Sequence, residues 1–416
     1  MLFYSDILKK RDDTVSYGAA HYSLSIPAAR IMSFFKTKKH ICRPEIYGTE
    51  LSRTMLGMDP TKKNVHISFR SFNETRFLKG AYNISYVLWE FLHIDNNVNG
   101  RLWAQLDLIE KCDEVWSAAS FSQELISKHI KKEVHHIPCP VNTISPLRLP
   151  DSSNTRLSLL RDIPAQTVSL FFGADNISWI KRETKPLHSH INSKKCKIYI
   201  TVLNPHDFRK NIESIIRGFA VFSRKNENSF LIIKLIIDNI NDTIDNIQDN
   251  IIKNRFTDGS MLYSKNILLI SKKLSLLELD ELYRTADYYI CLSHGEGQNL
   301  PLLEAMGQGV VPISVSNSAM SDYINDENSF VVKSSIVTKY LPLASEFTNS
   351  GYVTCYDVDL KDYIDALETS LSISNNRFLQ LRYNSIVTAI NYCGYDSVRK
   401  KLLSTRLAEF IDENNC

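Results

Sequence analysis

The sequence predicts a two-domain α/β protein on three observations: a chain of 416 residues, β-branched runs alternating with helical stripes, and a C-terminal end with helical patterning alone. This length exceeds what one hydrophobic core normally serves, so two domains with a cleft between them are expected. Hydrophobic residues make up 44% and charged residues 23% of the chain, which leaves apolar surface for two cores and excludes global disorder.

The alternation is clearest between residues 196 and 332. Apolar runs at 197–203, 230–237, 267–270, 288–292 and 310–314 have the near-continuous hydrophobicity of strands covered on both faces. Between the first two, Ile212, Ile215, Ile216, Phe219 and Phe222 recur at helical spacing and present one stripe to a sheet. Ser275 with Glu278 forms a capping-box pattern, starting a helix that turns Leu279, Leu282 and Tyr283 inward. Helices between parallel strands make βαβ units, so this half reads as Rossmann-like. The N-terminal half alternates less clearly, with strands expected at 65–69, 83–89, 114–116 and 133–137 and helices at 101–111 and 121–131. Residues 142–195, which carry Pro146, Pro150, Pro164 and Pro186 and lack a sustained period, hold the interdomain passage. The expected division is an N-terminal domain over 1–190, its boundary lying within 142–195, and a C-terminal domain over 191–372. Helices over 373–416 pack back on the first domain. Helical patterning begins after residue 358, with Tyr363, Leu367 and Leu371 on one face.

Several function classes fall away. The net charge is only +3, and no dense Lys/Arg stripe interleaves with aromatics, so the footprint of a nucleic-acid binder is missing. No apolar run approaches the roughly 18 residues of a spanning helix, and the opening MLFYSDILKKRDD places charges too early for a signal peptide. A cytoplasmic protein is expected, with peripheral contact to the inner face of a membrane as the minority reading of patches such as Lys128 to Lys132. The eight cysteines are scattered without a CxxC pair, which argues against a zinc site or disulfide framework. The Asn/Asp-rich stretch 239–250 lacks the positioned Gly and terminal Glu of a calcium loop. Asp357-Val358-Asp359 imitates a metal-binding DxD but precedes a helix, where Asp is an ordinary cap. No metal and no cofactor are expected.

The most informative segment is SHGEGQNLPLLEAMGQGVVPISVS, residues 293–316, placed where a strand ends and a helix begins. In open α/β sheets that carboxyl edge is where ligands bind. Gly295 and Gly297 flank Glu296 and are expected to let the backbone turn tightly. Amides of Gly297, Gln298 and Asn299, with the helix dipole behind them, suit a diphosphate. Glu304 lies early in that helix, so two carboxylates are available to accept from hydroxyls of one ligand. Taken alone, the glutamates are also what ordinary dipole chemistry places near a helix start. A second constellation, Arg209-Lys210-Asn211, precedes the Ile212 helix. Cations at a helix N-terminus oppose the macrodipole unless an anion sits among them, the alternative being an exposed basic turn.

The segment EGQNLPLLEAMGQGVVPIS resembles the glycosyltransferase family 4 signature, in which two glutamates with seven residues between them follow a strand and precede a helix ending in EAM-x-x-G. LNPHDFRKN, LSLLELDELYRTADYYICLS and SAMSDYINDENSFVV fall in the order expected for that family. FLKGAYNISYVLWEF, CDEVWSAASFS and HIPCPVN extend the likeness into the N-terminal half, so that it spans roughly residues 64–142 and 196–372. The resemblance implies a GT-B fold: two Rossmann-like domains facing a central cleft, with C-terminal helices. It implies transfer of a sugar from a nucleotide-sugar donor to a glycan or lipid-linked acceptor, with retention of configuration and no divalent metal, in surface polysaccharide synthesis. Glu296, Lys210 and Arg209 are then the expected catalytic residues, Glu296 facing the donor sugar and Lys210 the diphosphate. Glu304 is expected on the ribose, with Gly297, Gln298, Asn299, Leu300 and Ser271 also on the donor. Trp89, Glu90 and His93, with Tyr86, come at a strand end expected to face the cleft on the acceptor side, a core Trp being the alternative. Two departures stand out: Pro205 occupies the position of a second Arg common in the family, and SYGAAHYS, residues 16–23, is a weak stand-in for its Gly-rich first loop. A sugar-nucleotide epimerase of similar fold and a catalytically silent sugar-nucleotide-binding homologue remain as alternatives.

Overall fold

The computed structural model describes residues 2–6, 22–35, 38–41, 50–51, 64–70, 75–92, 94, 101–146, 163–170, 184–191, 196–237, 244–252, 256, 262–340 and 352–410. The N-terminal part contains strands β1 (Leu2–Asp6), β2 (Lys38–Ile41), β3 (Glu50–Leu51), β4 (Asn64–Phe69), β5 (Phe77–Leu78), β6 (Tyr82–Val87), β7 (Glu114–Ser117) and β8 (Val134–His136). Its helices are α1 (Tyr22–Met32), α2 (Arg101–Glu110) and α3 (Ser120–Ser127). Six strands form one parallel sheet in the order β2-β1-β4-β6-β7-β8, while β3 and β5 make a small separate pair. Every residue of β4 is buried, as a strand packed on both faces requires.

The second sheet follows with β9 (Pro164–Leu170), β10 (Thr184–Pro186), β11 (Lys197–Leu203), β12 (Ser229–Leu235), β13 (Leu262–Ile270), β14 (Tyr288–Cys291), β15 (Val311–Val315) and β16 (Phe330–Val332). Helices α4 (Ile212–Ser223), α5 (Leu276–Thr285) and α6 (Leu300–Gly307) alternate with these strands. The order is β10-β9-β13-β12-β11-β14-β15-β16, parallel from β13 to β16 and antiparallel at the β9 and β10 edge. The stripe expected on α4 is buried at Ile212, Ile215, Ile216, Phe219 and Phe222. The capping box of α5 is formed, Ser275 and Glu278 each bonding the other's backbone amide.

Three differences from the sequence reading have local causes. Residues 164–170 and 184–186, read as part of the interdomain passage, hydrogen-bond into the second sheet, so the crossing between sheets comes before β9, inside the 142–195 window given for the boundary. Strand β13 begins five residues earlier than the apolar run, because residues 262–264 pair with β9 across a register shift. A hairpin of β17 (Ser334–Tyr340) and β18 (Tyr352–Val358) stands outside both sheets. It is held by a small apolar cluster in which Val337, Val353 and Cys355 meet Phe208 and residues of the first domain such as Trp89 and Phe91.

The chain closes with helices α7 (Leu360–Ser372), α8 (Asn375–Cys393) and α9 (Tyr395–Leu403). The amide of Val141 donates to the carbonyl of Cys393 at 3.0 Å, and the Tyr392 hydroxyl donates to the Ala118 carbonyl at 3.0 Å. Phe34 and Tyr395 pack with ring centroids 5.6 Å apart. The last helices therefore tie the second sheet back to the first. Among the described residues no helix is long and apolar enough to cross a membrane.

Candidate active site

Strand β11 is where the second sheet changes direction of growth, with β12 and β13 on one side and β14 and β15 on the other. Chains leaving the carboxyl ends of β11 and β14 turn to opposite faces, which opens a crevice for a ligand. An open cleft lies there. Val202, Leu203, Asn204, Asp207, Arg209 and Lys210 line it after β11, Glu296 to Pro301 line it after β14, and Pro27, Leu88 and Glu90 close it from the first domain.

The basic turn is a 3-10 turn, Phe208–Lys210, capped by Asp207, whose carboxylate accepts from the Arg209 amide at 3.0 Å. Asn211 then adopts a left-handed conformation (φ 50°) and starts α4, its side chain donating to the Leu292 carbonyl. The charges anticipated to need an anion have three. Arg209 forks onto Asp207 at 3.1 and 2.8 Å and reaches Glu90 at 2.8 Å. Lys210 Nζ lies 2.6 Å from Glu296 Oε1. Burial opposes the charge of both cations, yet Asp207, Glu90 and Glu296 around Arg209, and Glu296 and Asp207 beside Lys210, hold their pKa values above the ordinary range. Burial in turn opposes the charge of Asp207, which Arg209 and Lys210 outweigh, so its carboxyl sits below its ordinary value. All three groups are charged at neutral pH.

The loop carrying Glu296 is fixed from several sides. The Glu296 amide donates to Ser318 Oγ at 3.0 Å, and Asn299 Nδ2 reaches Glu296 Oε1 at 3.4 Å. Asn299 is left-handed (φ 62°) and caps α6, accepting from the Leu302 amide at 3.3 Å. Gly295 does not use a left-handed backbone. Among the described residues the glycines with positive φ are Gly80 and Gly309. What Gly295 provides is room: a Cβ there would lie 2.3 Å from the Glu90 carbonyl oxygen. Gly297 likewise faces Leu88 and Trp89 at 3.3 to 3.4 Å. The two glycines thus let the first domain's strand end press against the Glu296 loop.

Glu304, expected on the ribose, is buried and is not among the residues lining the cleft. Its Oε1 pairs with Arg30 Nη2 at 2.5 Å, across the two halves of the molecule, and its Oε2 accepts from the Tyr283 hydroxyl at 3.4 Å. Gln298 is similarly committed, its amide closing both bonds of the Cys139 backbone at 2.9 Å. Its side chain is thus an interdomain clasp, while the residue itself lines the cleft. Ser271 follows β13 and is not among the residues lining the cleft. Of the acceptor-side candidates, Glu90 lines the cleft. Trp89 is 5% exposed and packs edge-on against Phe91, and Tyr86 is fully buried, so both are core residues. His93 lies outside the described residues, as does most of the stretch 16–23. Asp357 pairs with Lys339 at 2.6 Å and Asp359 caps α7, so the DxD-like pair is occupied structurally.

Sequence reasoning missed Arg30, Asp207 and His294. His294 donates its amide to the Arg209 carbonyl and bonds the Tyr356 carbonyl through Nδ1, joining the basic turn to the hairpin. Asp207, two residues before Arg209, carried a readable capping signal.

The family described as Glycosyl transferases group 1 matches residues 262–340, the segment that holds both glutamates. The ORF330 protein of Acidianus filamentous virus 2, whose name assigns it provisionally to the glycosyltransferases, is 24% identical over 163 residues, 39% of this chain and 44% of the viral protein. Among solved structures, Anabaena HepE in complex with UDP and glucose superposes with a TM-score of 0.57 at 10% identity, covering 97% of this chain and 98% of that one. A UDP-forming trehalose-phosphate synthase from Burkholderia xenovorans gives 0.54 at 12% identity over 84% and 75%. S. aureus TarM, in a mutant complex with Fondaparinux, alpha-GlcNAc-glycerol and UDP, gives 0.52 at 12% identity over 83% of this chain and 55% of that one. The chain thus spans about half the length of TarM and of the viral relative. Its two Rossmann-like sheets have the GT-B fold, and the segment that supplies Glu296 and Glu304 matches the family of glycosyl transferases group 1.

Proposed function

We propose that this chain transfers a sugar from a nucleotide-sugar donor to a glycan or lipid-linked acceptor, with retention of configuration and without a metal ion. The observation that carries the reading is the Lys210–Glu296 pair, 2.6 Å apart in the cleft at the switch point of the second sheet. Lysine is a compact charge on a flexible stem. When a diphosphate enters, the Lys210 ammonium swings onto it, and Glu296 is released toward the sugar. Arg209 stays in its fork with Asp207 and contributes positive potential from the side. As the bond from the anomeric carbon to the diphosphate oxygen breaks, charge gathers on the leaving diphosphate, where Lys210 and the start of α4 stabilise it. The acceptor hydroxyl oxygen forms the new bond on the same face of the sugar, its proton passing to the departing phosphate. Assembly of a surface polysaccharide is the narrower part of the proposal and follows from the family resemblance.

The test is donor turnover, as transfer or slow hydrolysis, with and without excess EDTA, in the wild type and in Glu296→Gln. EDTA should have no effect, and loss of about 2–3 kcal/mol of transition-state stabilisation should slow Glu296→Gln roughly 30- to 150-fold. Abolition by EDTA with rescue by Mg²⁺ or Mn²⁺ would overturn the metal-free reaction. Full turnover in Glu296→Gln would overturn the role of Glu296.

A further inference from the structure

Helices α1 and α6 both reach the cleft and are joined by the Arg30–Glu304 pair. Pro27 of α1 lines the cleft and Arg30 comes one turn later on the same face, while Leu300 and Pro301 of α6 line it and Glu304 follows one turn on. The Arg30–Glu304 pair therefore closes the gap between the two helices immediately beyond the last lining residues. Both partners are buried, at 7% and 4% exposure, and Arg30 is anchored a second time by its bond from Nη1 to the Pro140 carbonyl at 3.0 Å. Pro140 lies just after β8, in the segment that leaves the first sheet. A ribose reaching past Leu300 and Pro301 toward Glu304 meets Arg30 already there.

We propose that Arg30 is a positioning residue for the donor: it holds the Glu304 carboxylate while the cleft is empty and gives it up when the nucleoside arrives. This rests on the nucleotide-sugar reading above and adds to it a route of entry. Because Arg30 and Glu304 sit on opposite halves of the molecule, exchanging Arg30 for ribose hydroxyls requires α1 to withdraw from α6. Donor binding and the spacing of the two halves are thereby coupled. Affinity is reduced by the fraction of molecules in which the pair is closed.

The experiment is titration calorimetry with UDP, GDP and dTDP on the wild type, Arg30→Met, Glu304→Gln and the double variant, with thermal melts for folding. Whichever diphosphate binds the wild type should bind Arg30→Met about tenfold more tightly, since no pair then has to open. Glu304→Gln should lose more affinity in the Arg30→Met background than in the wild type, where it also frees the closed pair. If Arg30→Met does not fold, Arg30→Lys carries the same comparison with a smaller gain, keeping the charge but losing the fork. Unchanged or weaker binding after loss of Arg30, with Glu304→Gln weakening binding in both backgrounds, would overturn the role of Arg30 and leave the ribose reading standing. No effect of Glu304→Gln in either background would remove the ribose reading itself, and the present proposal with it.

Discussion

Glu296 and Glu304 are separated by seven residues of one loop and helix, yet each is neutralised by a different kind of partner. Glu296 lines the cleft and pairs with Lys210, a residue of the same Rossmann-like half, whose flexible stem lets the pair open without moving the backbone. Glu304 does not line the cleft and pairs with Arg30, carried on a helix of the other half and fastened to the Pro140 carbonyl. On the proposal above, opening that pair moves a helix. The same pattern of residues thus gives one carboxylate paired within its own half and one paired across the two halves.

The largest expected effect of breaking this comparison is on stability. Glu304→Ala strands a buried guanidinium between the halves, a loss of about 3–5 kcal/mol for one partner of a buried pair. Glu296→Ala leaves Lys210 beside Asp207 and a cleft that admits water, so a smaller loss of about 1–3 kcal/mol is expected. Urea unfolding of both variants checks this, and equal losses would remove the distinction drawn here.

A smaller effect sharpens the same contrast through Asp280 of α5. Burial pushes its carboxyl up to about 6, and the charge of Glu304 adds to the rise, against the opposing charges of Arg284 and Arg30. The native state then holds this proton more tightly than the unfolded chain, so its contribution to stability falls as pH rises from the ordinary value of 3.8 to about 6. Asp280→Asn removes that loss. Its melting temperature should exceed the wild type's at about pH 7, and the gain should disappear below about pH 4. A gain of equal size at both pH values would mean that the charge of Asp280 is not responsible.

Much of the second half was legible because its information is local. The run at 197–203 is β11 to the residue, the stripe from Ile212 to Phe222 is the buried face of α4, and the capping box at Ser275 is formed. Lys210 and Glu296 were found by position at a strand end, and the fold brings them together. What escaped was set by distance along the chain. Arg30 meets Glu304 across 274 positions, and Gln298 meets Cys139 across 159; neither encounter leaves a mark in the spacing of nearby residues. Gly295 shows the same limit, since its local pattern suggested a turn while its actual constraint is the Glu90 carbonyl arriving from the other half. The hairpin β17–β18 has no helical stripe, and the residues it buries in the smaller apolar cluster, Val337, Val353 and Cys355, make too short a pattern to stand out.

The central claim is that Lys210 meets the donor's diphosphate at the switch point. Titration calorimetry of Lys210→Ala against a nucleoside diphosphate and its parent nucleoside tests it most directly. Loss of a charge-assisted hydrogen bond, about 1.5–3 kcal/mol, predicts diphosphate affinity lowered roughly 10- to 150-fold with nucleoside affinity unchanged. Equal diphosphate affinity in wild type and Lys210→Ala would contradict the account.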